Sequence, residues 1–323
     1  MAFQIAATRP LPGPFEFPEL DAKVRFGPER GFATRGELLE FVRGAHGLVT
    51  WVSEKVDDAL LDAAGAQLKV VANFAVGYDN IDVAACRRRG VIVTNTPDAV
   101  TEGTADCAFM LLLAGARRLA HADRFARSGE WERHGTLSPT ELIGRPVAGR
   151  TLLIVGAGRI GFATALRGIG WGMRVLYVAR HVKPDFEFAP LNARRVELDE
   201  GLREADFVSI HTPLTPETRH LINARRLALM KPTAVLVNTS RGAVVDEAAL
   251  AAALKEGRLF AAGLDVFEQE PKIHPALKEL DNVVLTPHYG SANLDSRAAM
   301  TRICAENIRA VLSGKPPVTP VEG

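Results

Sequence analysis

Three ionisable side chains stand where chemistry can be done: Arg241, Glu270 and His288. Each follows a short apolar run. Ala234-Val235-Leu236-Val237-Asn238 precedes Arg241, Ala261-Ala262-Gly263-Leu264 precedes Glu270, and Asn282-Val283-Val284-Leu285 precedes His288. Such runs read as buried strands. Strand ends in one parallel sheet converge on one crevice, so residues distant in sequence can meet there. A guanidinium holds a carboxylate and polarises an adjacent carbonyl. An imidazole gives or takes a proton at neutral pH. A carboxylate beside it orients the ring and favours the imidazolium. Singly, Arg241 could be a surface charge, Glu270 a loop acid before Pro271 and His288 a strand-end histidine. Behind a dinucleotide motif they read as one set.

That motif lies between Thr151 and Arg180. Thr151-Leu152-Leu153-Ile154-Val155 reads as a buried strand, and Gly156-Ala157-Gly158-Arg159-Ile160-Gly161 follows at once. A helical stretch to Gly170 and a second strand, Arg174-Val175-Leu176-Tyr177-Val178, complete a βαβ unit. G-x-G-x-x-G in this context predicts a dinucleotide site. Gly156 permits the tight turn, Gly158 lets the backbone approach a pyrophosphate, and Gly161 lets helix and strand pack closely. The helix N-terminus at Arg159 and Ile160 presents N–H groups to phosphates. An NAD site usually carries Asp or Glu about 20 residues on. Here that place holds Val178-Ala179-Arg180-His181, with Lys183 beyond. Arg180 can grip a 2′-phosphate with a fork of donors, and His181 can add charge. The reading is NADP(H), with NAD(H) still open if Arg180 is only a solvated loop residue.

Upstream, strand and helix alternate closely from Phe3 to Thr94, which predicts a smaller parallel α/β domain. Ser53 and the Val76-Gly77 turn fall at its strand ends and are candidate substrate contacts. Gly77 would let backbone N–H groups point at a carboxylate, although taken alone a plain turn glycine is the favoured reading. Thr101 to Leu119 reads as a long buried helix, and Arg124 to Arg150 as an irregular excursion, either an arm toward a second subunit or a surface loop.

At 323 residues the chain is long enough for two domains. Hydrophobic content of 47%, charged content of 24% and a net charge of +1 argue against nucleic acid or an anionic membrane as partner. Three isolated cysteines make neither a disulfide framework nor a metal site. There is no signal-peptide pattern and no span-length apolar run, so the chain is expected to be cytoplasmic.

With these residues in view, the chain resembles the D-isomer-specific 2-hydroxyacid dehydrogenase family. The resemblance rests on Val155 to Gly161, His211-Thr212-Pro213-Leu214, Asn238-Thr239-Ser240-Arg241-Gly242, Gly263-Leu264-Asp265-Val266-Phe267, Glu270-Pro271 and Pro287-His288-Tyr289-Gly290-Ser291-Ala292. Asn73 to Asp82, Asn95-Thr96-Pro97-Asp98 and Gly129-Glu130-Trp131 are similar to its glyoxylate and hydroxypyruvate reductase branch. The resemblance implies catalytic roles for Arg241, Glu270 and His288, and carboxylate binding by the backbone at Val76 and Gly77. It implies cofactor contacts at Thr104, Arg180, His181, Pro213, Thr239, Ser240, Arg241, Asp265, His288 and Gly290, and a homodimer. The expected fold is α/β, with two Rossmann-like or flavodoxin-like parallel-sheet domains and an interdomain cleft. Residues 1–100 plus 288–323 would form the substrate domain, and 101–287 the nucleotide domain. The expected reaction is NADPH-dependent reduction of glyoxylate or hydroxypyruvate, with no metal. Alternatives are a D-lactate or phosphoglycerate type of dehydrogenase and a nucleotide-sensing corepressor. A phosphorylated substrate would want extra basic groups near Ser53 and Val76, and none is close by in sequence.

Overall fold

The computed structural model describes residues 2–322 and divides into two compact units, residues 1–100 with 291–323, and residues 101–290. In the first unit β1 (Phe3–Ala7), β2 (Ala22–Phe26), β3 (Gly47–Thr50), β4 (Val70–Asn73) and β5 (Ile92–Thr94) form one parallel sheet in the order β2-β1-β3-β4-β5. Strands β3 and β4 are buried at every position, as strands covered on both faces must be. Ala6, Leu48, Val71 and Val93 pack with Leu60 and Ala85 from the covering helices. Helix starts are set by capping side chains. Thr34 and Glu37 make a reciprocal capping box, and Asp57, Asp82 and Asn293 each accept from a first-turn N–H. The helix Leu294–Leu312 joins this unit from the far end of the chain. Strand β2 escaped the sequence reading because it is a half-exposed edge, Ala-Lys-Val-Arg-Phe, whose charges dilute the apolar signal.

The second unit holds β6 (Thr151–Val155), β7 (Arg174–Val178), β8 (Arg194–Arg195), β9 (Phe207–Ile210), β10 (Val235–Asn238), β11 (Ala261–Leu264) and β12 (Val283–Leu285). All pair in parallel, in the order β12-β11-β10-β9-β6-β7-β8. Alternate side chains serve opposite faces. Leu153, Val155, Val208, Ile210, Leu236 and Leu264 build the core on one side, and Leu152, Ile154, Val175, Phe207, Val235 and Val237 the core on the other. The order reverses beside β6, which puts the glycine-rich turn after β6 at the switch point where such sheets take ligands. The nucleotide unit runs through Gly290 rather than ending at 287. The reason is local: the Asp265 carboxylate on the β11 side holds the N–H groups of Tyr289 and Gly290.

The long helix of this unit is Thr101–Ala116, ending before the expected Leu119 because Arg118 is left-handed (φ 53°). Helices Leu119–Arg127 and Glu130–His134 occupy the start of the stretch read as irregular. Among the described residues no helix is long and apolar enough to cross a membrane, and no group of His, Cys, Asp and Glu could hold a metal ion.

Candidate active site

Strands β10, β11 and β12 are neighbours, so the loops that leave them lie side by side at the carboxyl edge of the sheet. Asn238, buried at the end of β10, shapes the first loop: its Oδ1 accepts from the Ser240 N–H and Oγ–H, and its Nδ2 donates to the Arg241 carbonyl at 2.9 Å. Gly242 follows, and any Cβ there would overlap the backbone of Phe267 and Glu268. That close approach sets the Arg241 loop against the loop carrying Glu270.

The third loop carries His288, whose backbone is left-handed (φ 51°). A non-glycine residue in that region is held there by its surroundings. The holding group is Asp265, which is 1% exposed. It accepts from Thr286 Oγ1 at 2.6 Å, from the Tyr289 N–H at 3.0 Å and from the Gly290 N–H at 2.8 Å. Burial pushes the Asp265 carboxyl up, against these bonds and the charge of His288. Asp265 was expected among cofactor contacts; in the structure its carboxylate fixes the His288 loop.

His288 Nδ1 lies 2.7 Å from Glu270 Oε2. The other carboxylate oxygen accepts from the Phe267 N–H at 2.9 Å. Burial works against ionisation of Glu270, but the His288 hydrogen bond and charge, the Phe267 N–H and the charge of Arg241 outweigh it, and the carboxyl sits below its usual range. An ionised carboxylate can only accept, so Nδ1 carries the hydrogen and Nε2 is left for other chemistry. Arg241, Glu270 and His288 are thus brought to one place, and Arg241 Nη1 is steadied on the Ser240 carbonyl at 2.8 Å.

At the nucleotide motif, Gly156 has φ +104°, and an added Cβ would stand 2.7 Å from the His211 carbonyl carbon. A Cβ on Gly161 would overlap the Gly156 carbonyl oxygen. Gly158, the N-cap of helix Arg159–Gly170, has open space on its side. Two buried hydroxyls, Thr212 Oγ1 and Thr239 Oγ1, have no partner at the ends of β9 and β10. Open space before a helix N-terminus, with orphaned hydroxyls on neighbouring strand ends, fits a dinucleotide. Pro213 lies beside Thr212, and Thr104 lies within van der Waals reach of the Gly290 α-carbon side. Arg180 and His181 are exposed after β7. Sequence reasoning missed Arg195, whose guanidinium donates to the Ala179 and Arg180 carbonyls and fixes that strand end. Its edge strand is two residues long and has no apolar signature.

In the first unit, Ser53 is exposed after β3, and the Val76-Gly77 turn follows β4. Asn95 Nδ2 donates to the Val76 carbonyl and Asn73 Nδ2 to the Gly77 carbonyl, each at 2.7 Å. In a trans peptide the N–H points opposite its C=O. The N–H groups of Gly77 and Tyr78 are therefore turned away from these amides. Two basic groups distant from Ser53 in sequence lie near its loop in space. Arg9 Nη2 lies 3.3 Å from Ser53 Oγ, and Arg297 lies over the Trp51 ring.

Residues 109–290 match the family described as "D-isomer specific 2-hydroxyacid dehydrogenase, NAD binding domain". A glyoxylate reductase of Thermococcus onnurineus is 53% identical over 287 residues, 88% of this chain and 85% of that protein. The crystal structure of TT0316 protein from Thermus thermophilus superposes with a TM-score of 0.89 at 44% identity, covering 99% of this chain and 100% of the other. An NADPH-dependent glyoxylate/hydroxypyruvate reductase of Sinorhizobium meliloti, in complex with NADP and malonate, gives 0.80 at 34% identity, with 99% and 97% covered. With its glycine-rich turn, its two parallel sheets and these relatives, the chain belongs to the D-isomer specific 2-hydroxyacid dehydrogenase family of NAD(P)-dependent oxidoreductases.

Proposed function

We propose that the protein reduces glyoxylate or hydroxypyruvate to glycolate or D-glycerate, with NADPH preferred over NADH. The observation that carries the reading is the 2.7 Å Glu270–His288 pair beside the charge of Arg241. The names of the curated relatives supply the substrate class.

The dinucleotide, when bound, supplies the hydride. The glycine-rich turn, Thr104, Pro213, Thr239, Ser240 and Gly290 are assigned to holding it. Arg180 and His181 are assigned to the 2′-phosphate, where a planar guanidinium can bind two oxygens at once. His288, held through Nδ1 by Glu270, presents Nε2 and gives its proton to the developing alkoxide. General acid catalysis of this kind is worth about 10²–10⁴-fold. Arg241 binds the substrate carboxylate and stabilises charge on the carbonyl oxygen; Ser53, Val76 and Gly77 are assigned to the same substrate. Three buried free thiols suit a reducing, cytoplasmic setting. The exposed Leu119, Trp131 and Ile143 support a homodimer.

The test is loss of reduced-cofactor absorbance with glyoxylate, hydroxypyruvate and pyruvate, each with NADPH and NADH, for the native protein and for His288→Ala. Rapid NADPH oxidation with the first two, lost in the variant, is expected. Native kcat in His288→Ala at saturating NADPH overturns the acid assignment, and no turnover of any ketoacid overturns the substrate class.

A further inference from the structure

We propose that Ser53, directed by Arg9, is the specificity element for an oxygen on C3 of the substrate, so that the protein selects hydroxypyruvate over pyruvate. This deepens the function proposed above and rests on it.

The residues converge because β1, β3 and β4 are adjacent. Their carboxyl ends deliver Thr8-Arg9, Trp51 to Glu54, and Phe74 to Gly77 to one edge of the first unit. Arg9 is clamped from three sides. Its Nη2 donates to Ser53 Oγ at 3.3 Å, its Nε faces Glu54 Oε1 at 3.7 Å, and its guanidinium carbon lies 5.4 Å from the centre of the Trp51 ring. Glu54 is itself buried at 7% exposure and accepts from Thr8 Oγ1 at 2.5 Å and from the Trp51 N–H at 2.9 Å. Trp51 stacks on Phe74 at 5.5 Å and lies under Arg297 at 4.7 Å. Cation–π contacts occupy the faces of guanidinium groups and leave their edges able to donate.

Two asparagines put the Ser53 loop and the Gly77 turn on one frame. Asn80 Nδ2 lies 3.3 Å from the Trp51 carbonyl, 3.0 Å from the Glu54 carbonyl and 3.4 Å from Asn73 Oδ1. Asn73, fully buried, donates to the Gly77 carbonyl at 2.7 Å. The turn assigned to the carboxylate and the Ser53 hydroxyl therefore keep a fixed relation.

The chemistry follows from counting donors. A serine hydroxyl has one proton and two lone pairs. Arg9 takes one lone pair with a charged N–H, which polarises the hydroxyl as a donor. The exposed Ser53 proton is then offered outward to an acceptor. A C3 hydroxyl oxygen accepts it; the methyl of pyruvate cannot. A single hydrogen bond in a partly solvated site is worth about tenfold at most.

The experiment measures kcat/KM for hydroxypyruvate, pyruvate and glyoxylate with saturating NADPH. Arg9→Gln removes the directing charge and Ser53→Ala the donor itself. Both are expected to lower the hydroxypyruvate-to-pyruvate ratio several-fold to tenfold. Ratios that do not move, or equal losses on all three substrates, overturn the proposal. Should the native protein reduce none of them, the functional reading fails by itself. The inference is then decided by titrating the NADPH-loaded protein with D-glycerate and D-lactate, which differ only in the C3 hydroxyl. Tighter D-glycerate binding that is levelled in both variants sustains it, and equal affinities in the native protein overturn it. Ser53→Ala keeps the test open if Arg9→Gln does not fold, since it removes one exposed atom.

Discussion

Replacing Glu270 by Gln tests the core of the proposed chemistry. The carboxylate serves two bonds, with Oε1 on the Phe267 N–H and Oε2 on His288 Nδ1. An amide has only one oxygen, so one of the two must be lost or reversed. A hydrogen bond to a charged group is worth about 1.5–3 kcal/mol. The two side chains are 30% and 32% exposed, and solvent screening argues for the lower end. About 1.4 kcal/mol is a factor of ten, so Glu270→Gln is expected to lower kcat/KM about tenfold at neutral pH. The assay is kcat/KM for hydroxypyruvate at saturating NADPH from about pH 5 to 9. No loss at any pH refutes the idea that Glu270 holds His288 for the proton transfer. The same carboxyl also links pH to folding. Its value in the fold lies below the usual 4.5. Its contribution to stability is thus complete above the usual value and is lost as pH falls through the depressed one. Thermal unfolding should accordingly fall off more steeply with acid in the native protein than in Glu270→Gln.

Gly156→Ala puts a Cβ 2.7–2.8 Å from the backbone of His211 and Thr212 at φ +104°. The left-handed backbone alone costs about 1–2 kcal/mol, and at about 2–4 °C per kcal/mol the melting temperature should drop by about 5 °C or more once the clash is added. NADPH binding should weaken with it, and an unchanged melting temperature and affinity would contradict the tight-turn argument. Arg180→Ala should narrow the preference for NADPH over NADH in kcat/KM; a preference that does not move would put the 2′-phosphate elsewhere.

The nucleotide unit was legible because its signals are local. Strand β6, the glycine-rich turn and β7 form one continuous stretch, and two-sided burial writes apolar runs into the sequence. Arg241, Glu270 and His288 were found for the same reason: each follows such a strand. Strands β2 and β8 were not, since edge strands are short or polar and carry little apolar pattern. The end of the long helix also slipped, because nothing in the residue type of Arg118 announces a left-handed backbone.

By itself the sequence determined the two parallel α/β units and the dinucleotide turn, and it pointed to the three ionisable groups proposed to act, all from properties of neighbours along the chain. Only the tertiary structure decided how those groups are held. Asp265 fixes the His288 loop 21 to 25 residues away, and Asn238 shapes the loop of Arg241. Arg9 reaches Ser53 across 44 residues, in a place where reading along the chain had found no basic group. The physical reason is that strand order, not chain order, sets which loop ends meet. A hydrogen bond between two loops leaves no periodicity in either.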